Sequence, residues 1–498
     1  MSFSLEIAIA VGRHTLYCYN HLIMTKKKLL PSKIDSPTDW YTTIIRLADL
    51  ADYGPSKGSI IIKPYGYAIW ENVQNAMNPI IKQKGVGNSY FPLLIPMSLL
   101  EKEASHIEGF SPELAVVTIA GNEKLEEPLV VRPTSETIMY NAYANWVQSW
   151  RDLPIMMNQW NNVVRWEKRT TPFLRTSEFL WQEGHTAHAT LSEALETQKW
   201  AMDMYKNIYN DYFAIDGCIG YKSKAERFSG ADETLTFEAL MPSGKALQAA
   251  TSHNLGQNFS KPFNISFQTK DGADEFAWQT SWGLSTRSIG GLILTHGDDD
   301  GLVLPPKLAP IQVIIVTVNM SDDEMKFANE LKTILINGNI KTEIDTRDDE
   351  RFGFKLNKWE VKGVPIIYKI GAREVENQKV TAKARFNKEE REISVENSLD
   401  ETTKWLDSIQ SAMLAKSSQN LVDNTREAKD YEQFKSIIAE HKGFVKVFWN
   451  DNSEIEEKIK KETTASSRCM IVDHQEKVGT DFITGEPSST QWIFAQSY

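Results

Sequence analysis

Gln159-Trp160-Asn161-Asn162-Val163-Val164-Arg165-Trp166-Glu167, a polar stretch from Lys168 to Thr171, then Pro172-Phe173-Leu174-Arg175-Thr176-Ser177-Glu178-Phe179-Leu180-Trp181-Gln182-Glu183 is the stretch on which the fold turns. The first nine residues alternate as a strand does. Arg165 and Glu167 stand two apart and share a face, while Trp166 points the other way. Lys168 to Pro172 reads as a polar turn, and Phe173 to Gln182 as a return strand carrying Arg175 and Thr176. An antiparallel hairpin with two arginines and a glutamate fits a clamp for a polyanion. It equally fits a surface hairpin laced by ion pairs, and the pattern alone leaves both open.

Outward from the hairpin, the pattern predicts a helix from Lys33 to Leu50, with Trp40, Ile44 and Leu47 on one side. A turn follows at Tyr53 to Gly58, then a short buried strand, Ile60 to Ile62, and a helix from Ala68 to Lys84. Tyr90 to Ile95 reads as a strand with Pro92 inside it. Proline cannot donate to a ladder, so this strand belongs at an edge or an interface. Leu129 to Thr137 runs from a strand into a helix that continues to Trp150, where Thr134 and Ser135 could be caps. A long helix covers Leu191 to Phe213. Strands interspersed with helices give an α+β unit with an antiparallel sheet. After Pro305-Pro306 strands and helices alternate, the signature of a small α/β unit. A helix from Glu401 to Ala415, a polar stretch and a second small α/β unit complete the chain. The expected divisions are 1–32, an N-terminal extension; 33–305; 306–400; 401–425, a linker helix; and 426–498.

A chain of 498 residues has room for two to four domains. Its net charge of -11 argues against a non-specific nucleic-acid coat, and no DNA partner is expected, although a local basic patch could still meet RNA. No apolar run approaches the ~20 residues that span a bilayer. The three cysteines, Cys18, Cys218 and Cys469, are scattered, which fits a reducing compartment and a cytoplasmic location. Residues 1–23 hold a short apolar run, Ile7 to Val11, preceded by Glu6 and without a basic start, so they make a poor secretory signal. Met24-Thr25-Lys26-Lys27-Lys28 reads as an alternative start.

At the hairpin, at Arg132-Pro133-Thr134-Ser135-Glu136, and at Thr251-Ser252-His253-Asn254-Leu255-Gly256-Gln257-Asn258-Phe259-Ser260-Lys261, the sequence resembles the prolyl-tRNA synthetases. These are class II aminoacyl-tRNA synthetases, and the likeness is to their archaeal and eukaryotic type, from about residue 33 to Tyr498. The resemblance implies a class II catalytic domain, then an anticodon-binding domain and a small α/β C-terminal domain. It implies activation of L-proline by ATP with Mg²⁺, and transfer to tRNA(Pro). The chemistry suits the residues. A carboxylate attacks a phosphate, both are anions, and arginine can grip each.

By the same resemblance, Arg165 bridges the α-phosphate and the proline carboxylate, and Glu167 meets the adenine side. Arg175, Thr176, Gln248, Thr251, Ser285 and Arg287 contact ATP, Arg287 at its γ-phosphate end, with Mg²⁺ bound through ATP near Gln248. Relatives more often carry threonine at the place of Ser285. Arg165 and Arg287 are the expected catalytic residues. Thr134 and Glu136 receive the proline ammonium, Phe179 and Trp181 form the ring pocket, and His253 closes it. On residue type alone Thr134 could be a cap, Trp181 core and His253 a loop histidine. Arg347, Lys355, Lys358 and Trp359 face the anticodon, where charge and an aromatic platform suit splayed bases; a solvated charged turn fits them too. A two-fold dimer forms through residues 68–95. The stretch from His185 to Trp282 is too short for an inserted editing domain, so no editing of alanine in cis is expected. Many relatives hold zinc on four cysteines near the C-terminus. Here Asn450, Ile455, Asp481 and Thr484 stand at those positions, so no structural zinc is expected and apolar packing replaces it. The carboxylate of Tyr498 is implied to reach back to the catalytic domain. Two other readings stand beside this one: a synthetase-like paralogue that binds RNA without charging it, and a class II synthetase for another amino acid.

Overall fold

The computed structural model describes residues 30–102, 114–472 and 478–498. Residues 1–29, including Cys18, the apolar run and the Met24 start, lie outside them. The molecule is organised by a sheet of eleven strands. They are β1 (Gly87–Asn88), β2 (Ile155–Val164), β3 (Glu178–His188), β4 (Gly217–Tyr221), β5 (Glu233–Leu240), β6 (Ala246–Gly256), β7 (Trp278–Ser285), β8 (Thr425–Glu427), β9 (Phe444–Phe448), β10 (Ala465–Ile471) and β11 (Gln491–Gln496). Their order is β8-β9-β11-β10-β4-β5-β6-β7-β3-β2-β1. All neighbours are antiparallel except the outermost pair at each end. The C-terminal unit therefore continues the sheet of the preceding unit, while it keeps an apolar core of its own around Trp449, Phe482 and Phe494. Its strand β10 pairs with β4 through Met470↔Tyr221 and Ile471↔Gly220.

The hairpin forms, in a register running from Ile155↔Ala187 to Val164↔Glu178. It is shorter than the alternation implied. Arg165 to Ser177 is a loop in which Thr171 and Arg175 bridge each other, and Phe173 takes φ of 61°. Arg165 and Glu167 thus share a side because of the loop's path and not because of strand pleating. The Tyr41 hydroxyl donates to the Pro172 carbonyl at 2.8 Å, and Arg287 Nε donates to the Leu174 carbonyl at 3.0 Å.

Between β3 and β7 lie the helix Leu191–Ile208 with a π turn at Tyr209–Phe213, then β4, β5 and β6, a short helix at Ser260–Phe263 and the paired strands Ser266–Gln268 and Asp274–Phe276, with no inserted module there. The helix packs Ala201, Met202, Tyr205 and Ile208 against the sheet, where Trp282 and Phe237 meet it. Pro64–Gln83 is a helix that starts earlier than periodicity implied, because Pro64 is pre-set for a first helical turn. Ile60–Ile62 is a half-buried hairpin strand paired with Ala51–Tyr53: Ile60 and Ile62 pack against the core, while Ile61 is 54% exposed. The proline-bearing strand is confined to Leu94–Pro96, at the edge of a three-stranded sheet, with Pro92 just before it. The helix after Ser135 ends at Trp146. The unit beyond Pro306 is a five-stranded sheet with parallel strands Thr342–Ile344, Val313–Thr317 and Ile366–Ile370, then an antiparallel pair. The helix Ser398–Asp423 lays Trp405, Leu406, Ile409 and Met413 into that unit's core.

Candidate active site

Three cavities of about 210, 90 and 30 Å³ run along the face of β3, β6 and β7, and Arg165 lines all of them. The largest is bounded by Glu136, Trp181, Glu183, His185, Gln248, Thr251 and His253, with Lys222, Glu226 and Phe228. The middle one adds Phe179, Ser285 and Arg287, and the smallest adds Glu167, Arg175 and Thr176.

Local geometry explains the gathering. Trp181, Glu183 and His185 alternate along β3 and so share a face. Gln248 and Thr251 are three apart, which regular pleating would put on opposite faces. A bulge in β6 sets Phe237 against Ala250 and Glu238 against Gln248, so Ala249 is the extra residue and both side chains reach the cavity. Gly283 on β7 lies under the Trp181 indole, where a Cβ would come within 2.6 Å of Nε1. Arg287 opens the helix Arg287–His296, whose N-terminal dipole favours anions.

Charge is arranged by region. Arg165 lies 5.4 Å over the Trp181 ring and 5.6 Å over Phe179, and its Nε donates to the Pro133 carbonyl at 3.1 Å. Glu167 and Arg175 are 3.4 Å apart. Burial, then the nearby Arg165 and Arg175, push the Arg287 guanidinium below its usual range. Crowded cations of this kind suit a phosphate chain. In the largest cavity the pattern reverses. Burial opposes charge on Glu183, but His185 at 2.9 Å, with donors Ser135 and Asn161, holds its pKa below the usual range. Burial also opposes charge on His185, but Glu136 and Glu183 outweigh it and hold its pKa up. Glu136, Glu183 and His185 place their ligand atoms within 4.8 Å of one another, beside the cavity and suited to an ammonium. Burial lowers the His253 pKa to about 4, so its ring is neutral at pH 7. Its Nδ1 faces Thr234 Oγ1 at 2.9 Å, and Phe228 stacks on it at 4.5 Å.

Two expected residues are placed differently. Thr134 is buried and donates to the Glu136 carboxylate, so it supports the wall without lining it; it makes no helix-cap bond. Phe179 sits with Ser285 and Arg287 and not in the largest cavity. Glu183 and His185 were missed, although their alternation with Trp181 was a signal that would have found them. Lys222, Glu226 and Phe228 carry no local signal, since long-range pairing brings them in.

Residues 118–296 match the family described as the tRNA synthetase class II core domain (G, H, P, S and T). Residues 312–405 match an anticodon binding domain, and 431–498 a prolyl-tRNA synthetase C-terminal domain. A proline--tRNA ligase of Cytophaga hutchinsonii is 46% identical over 489 residues, 95% of this chain and 100% of the relative. The chain belongs to the prolyl-tRNA synthetase family. A second proline--tRNA ligase, from Chlorobium phaeovibrioides, is 45% identical over 93% of this chain and 98% of its own. The prolyl-tRNA synthetase of Cryptosporidium parvum, solved in complex with halofuginone and AMPPNP, superposes with a TM-score of 0.91 at 41% identity. The match covers 95% of this chain and 99% of that one.

In the prolyl-tRNA synthetase anticodon unit, Asp345 is the organiser. It accepts from Arg347 Nε at 2.9 Å and Trp359 Nε1 at 2.8 Å; burial works against its charge, but these donors hold its pKa near 2. Lys355 is not a surface cation: it is 2% exposed, with Nζ 3.1 Å from Met320 Sδ. Lys358 is half-buried. At the positions where many prolyl-tRNA synthetases carry zinc ligands, one carboxylate, one amide, one hydroxyl and an isoleucine do not fit a tetrahedral zinc. Asp481 ties the turn by accepting from the backbone N–H groups of Asn450, Ile483 and Thr484 at 2.8 to 2.9 Å, above an apolar cluster of Trp449, Phe482 and Phe494. Tyr498 returns to the catalytic unit, its hydroxyl 2.7 Å from Ser243 Oγ and its N–H donating to the Ala246 carbonyl.

Among the described residues, no helix is long and apolar enough to cross a membrane.

Proposed function

We propose that Arg165 is the point at which L-proline and ATP meet. The chain activates L-proline with ATP to prolyl-adenylate, releasing pyrophosphate, and transfers the prolyl group to tRNA(Pro). The observation that carries this reading is the run of cavities sharing Arg165, anionic at one end and cationic at the other. The proline ammonium sits at Glu136, and its ring lies against Trp181 and His253. Its carboxylate turns to Arg165 and attacks the α-phosphate. Glu167, Arg175, Thr176, Ser285 and Arg287 hold ATP, with Arg287 at the γ-phosphate end. Arg165 screens the meeting of two anions and the charge that grows on the phosphoryl oxygens; Arg287 orients the departing pyrophosphate. Gln248 and Thr251 border the place of Mg²⁺, which neutralises phosphate charge when bound. No covalent enzyme intermediate is required.

Proline-dependent exchange of pyrophosphate into ATP tests the reading. Exchange with proline is expected, and Arg165→Ala should lower it at least ~10³-fold, as loss of a main charge-stabilising group does. Exchange only with another amino acid would transfer the site to a different class II activity. No exchange at all, with RNA still bound, would favour a non-charging paralogue.

The homodimer through residues 68–95 belongs to the same proposal, with a cytoplasmic setting. Tyr90 is 75% exposed and Leu94 39% exposed, side chains that a second copy would cover. Arg347, Lys358 and Trp359 remain the anticodon candidates.

A further inference from the structure

Lys222, Glu226 and Phe228 line the amino-acid cavity from the segment that follows β4, and Phe228 carries the stack on His253. The C-terminal unit grips that segment at several points. Arg468 on β10 donates to Glu238 Oε2 through Nε at 3.0 Å and Nη2 at 2.9 Å, and Glu238 Oε1 accepts from Lys222 Nζ at 2.7 Å. Glu456, on the helix Ser453–Thr463, accepts from Ser223 Oγ at 2.7 Å through one oxygen. Through the other it accepts from the Ser467 N–H at 3.0 Å and the Ser467 hydroxyl at 2.5 Å. Asp451 takes the Lys224 N–H at 3.2 Å, and Lys460 reaches Glu226 at 3.3 Å. The inner four groups, Lys222, Arg468, Glu238 and Glu456, are all buried and carry two charges of each sign.

A buried ion cluster is a weak source of stability, because desolvation offsets most of the attraction, yet it fixes geometry tightly once its hydrogen bonds are made. Here the fixed geometry is that of one cavity wall. Within the catalytic unit the segment is held by the Lys222 N–H on the Thr234 carbonyl and the Phe228 N–H on Thr234 Oγ1. Between those points Arg227 Nη1 donates to the Asp232 carbonyl at 2.9 Å and the Glu226 and Arg227 N–H groups close the turn on the Ser223 carbonyl, while the C-terminal unit grips the turn from its other side. We infer that Glu456 and Arg468 are positioning residues for proline binding: the C-terminal unit sets the amino-acid pocket by holding the segment Lys222–Phe228. The inference rests on the reading of that cavity as the proline site. Neither residue touches substrate; each acts through Ser223 or through Glu238 and Lys222. ATP, held around Arg175, Thr176 and Arg287, lies outside their reach.

The test uses the full chain in proline-dependent pyrophosphate exchange without tRNA, with rates normalised to active sites titrated by the adenylate burst. Glu456→Ala and Arg468→Met should raise KM for proline about tenfold or more, the effect of one lost charged hydrogen bond, with KM for ATP changed less than about twofold. Arg468→Lys should recover most of the loss. Should Glu456→Ala fold poorly, Glu456→Gln keeps one acceptor and should raise KM for proline about threefold or more. KM for proline unchanged in every variant that folds, with only the melting temperature lowered, would overturn the inference and leave the proline site standing. Absence of exchange in the unsubstituted chain would instead remove the site reading, and the inference with it.

Discussion

Thr176 has a buried hydroxyl that finds no hydrogen-bond partner among the described residues, on the wall it shares with Arg175 and Arg287. A buried orphan of this kind costs about 1–3 kcal/mol, which a bound phosphate or ribose would offset. Thr176→Val should therefore raise KM for ATP about tenfold while leaving the melting temperature unchanged or higher. A lower melting temperature with KM for ATP unchanged would give Thr176 a structural role instead. At this scale much of the site was legible. Arg165, Arg175, Gln248, Thr251, His253 and Arg287 sit in sequence phrases, and the structure brings them to one run of cavities. Thr134 and Phe179 lie off the largest cavity, because a strand or helix start does not say how far a side chain is covered by its neighbours. Lys355 was misread for a similar reason: its charge implied solvent, but the helix Phe352–Val361 turns it inward.

Among elements, the bulge at Ala249 has the sharpest consequence. Deleting Ala249 would leave Gln248 and Thr251 two apart, so regular pleating would keep both side chains on the cavity face of β6. Exchange activity should therefore stay within about tenfold of the parent with the far-ultraviolet dichroism preserved; a fall of ~10²-fold or more would show that the bulge itself sets the site's geometry. Gly283→Ala is a milder probe. The added methyl would lift the Trp181 indole, and KM for proline should rise more than KM for ATP. Equal rises in the two constants would place Trp181 away from proline. The type of most elements was readable from periodicity, as in the helices at 64–83 and 191–208. Their ends were not. Arg165 to Glu167 and Phe173 to Ser177 read as strand because polar and apolar residues alternate there, but beyond the Arg165 N–H on the Ser177 carbonyl the backbone bonds of this loop go to Gly58, Thr171, Pro172 and Arg175. The bulge left no mark in the sequence, since it depends on which strand lies beside it.

Over the whole molecule, buried histidines set a pH limit. Burial lowers His188, His253 and His296 to about 4. Between that value and ~6.5 the unfolded chain binds protons that the folded chain excludes, so stability falls as pH falls, by up to ~1.4 kcal/mol per histidine per pH unit. His185 acts in the opposite sense: its raised pKa adds stability that is present below ~6.5 and lost as pH rises through the folded value. Below ~6.5 the His185 contribution is constant and the other three set the slope, so the melting temperature should drop between pH 6.5 and 5; a flat profile there would contradict the burial of these rings. The eleven-strand sheet has a further consequence, in the order of synthesis. Strand β11 lies between β9 and β10, and β10 alone closes the edge of β4. Until residues 491–496 have left the ribosome, β9 and β10 have no partner between them, and the half-finished sheet exposes edges that invite wrong pairing. A nascent or nicked chain lacking those residues would retain the motifs read at 159–183 and still lack a closed sheet. The product of an interrupted message is thus an aggregation hazard for the cell and not a smaller working enzyme.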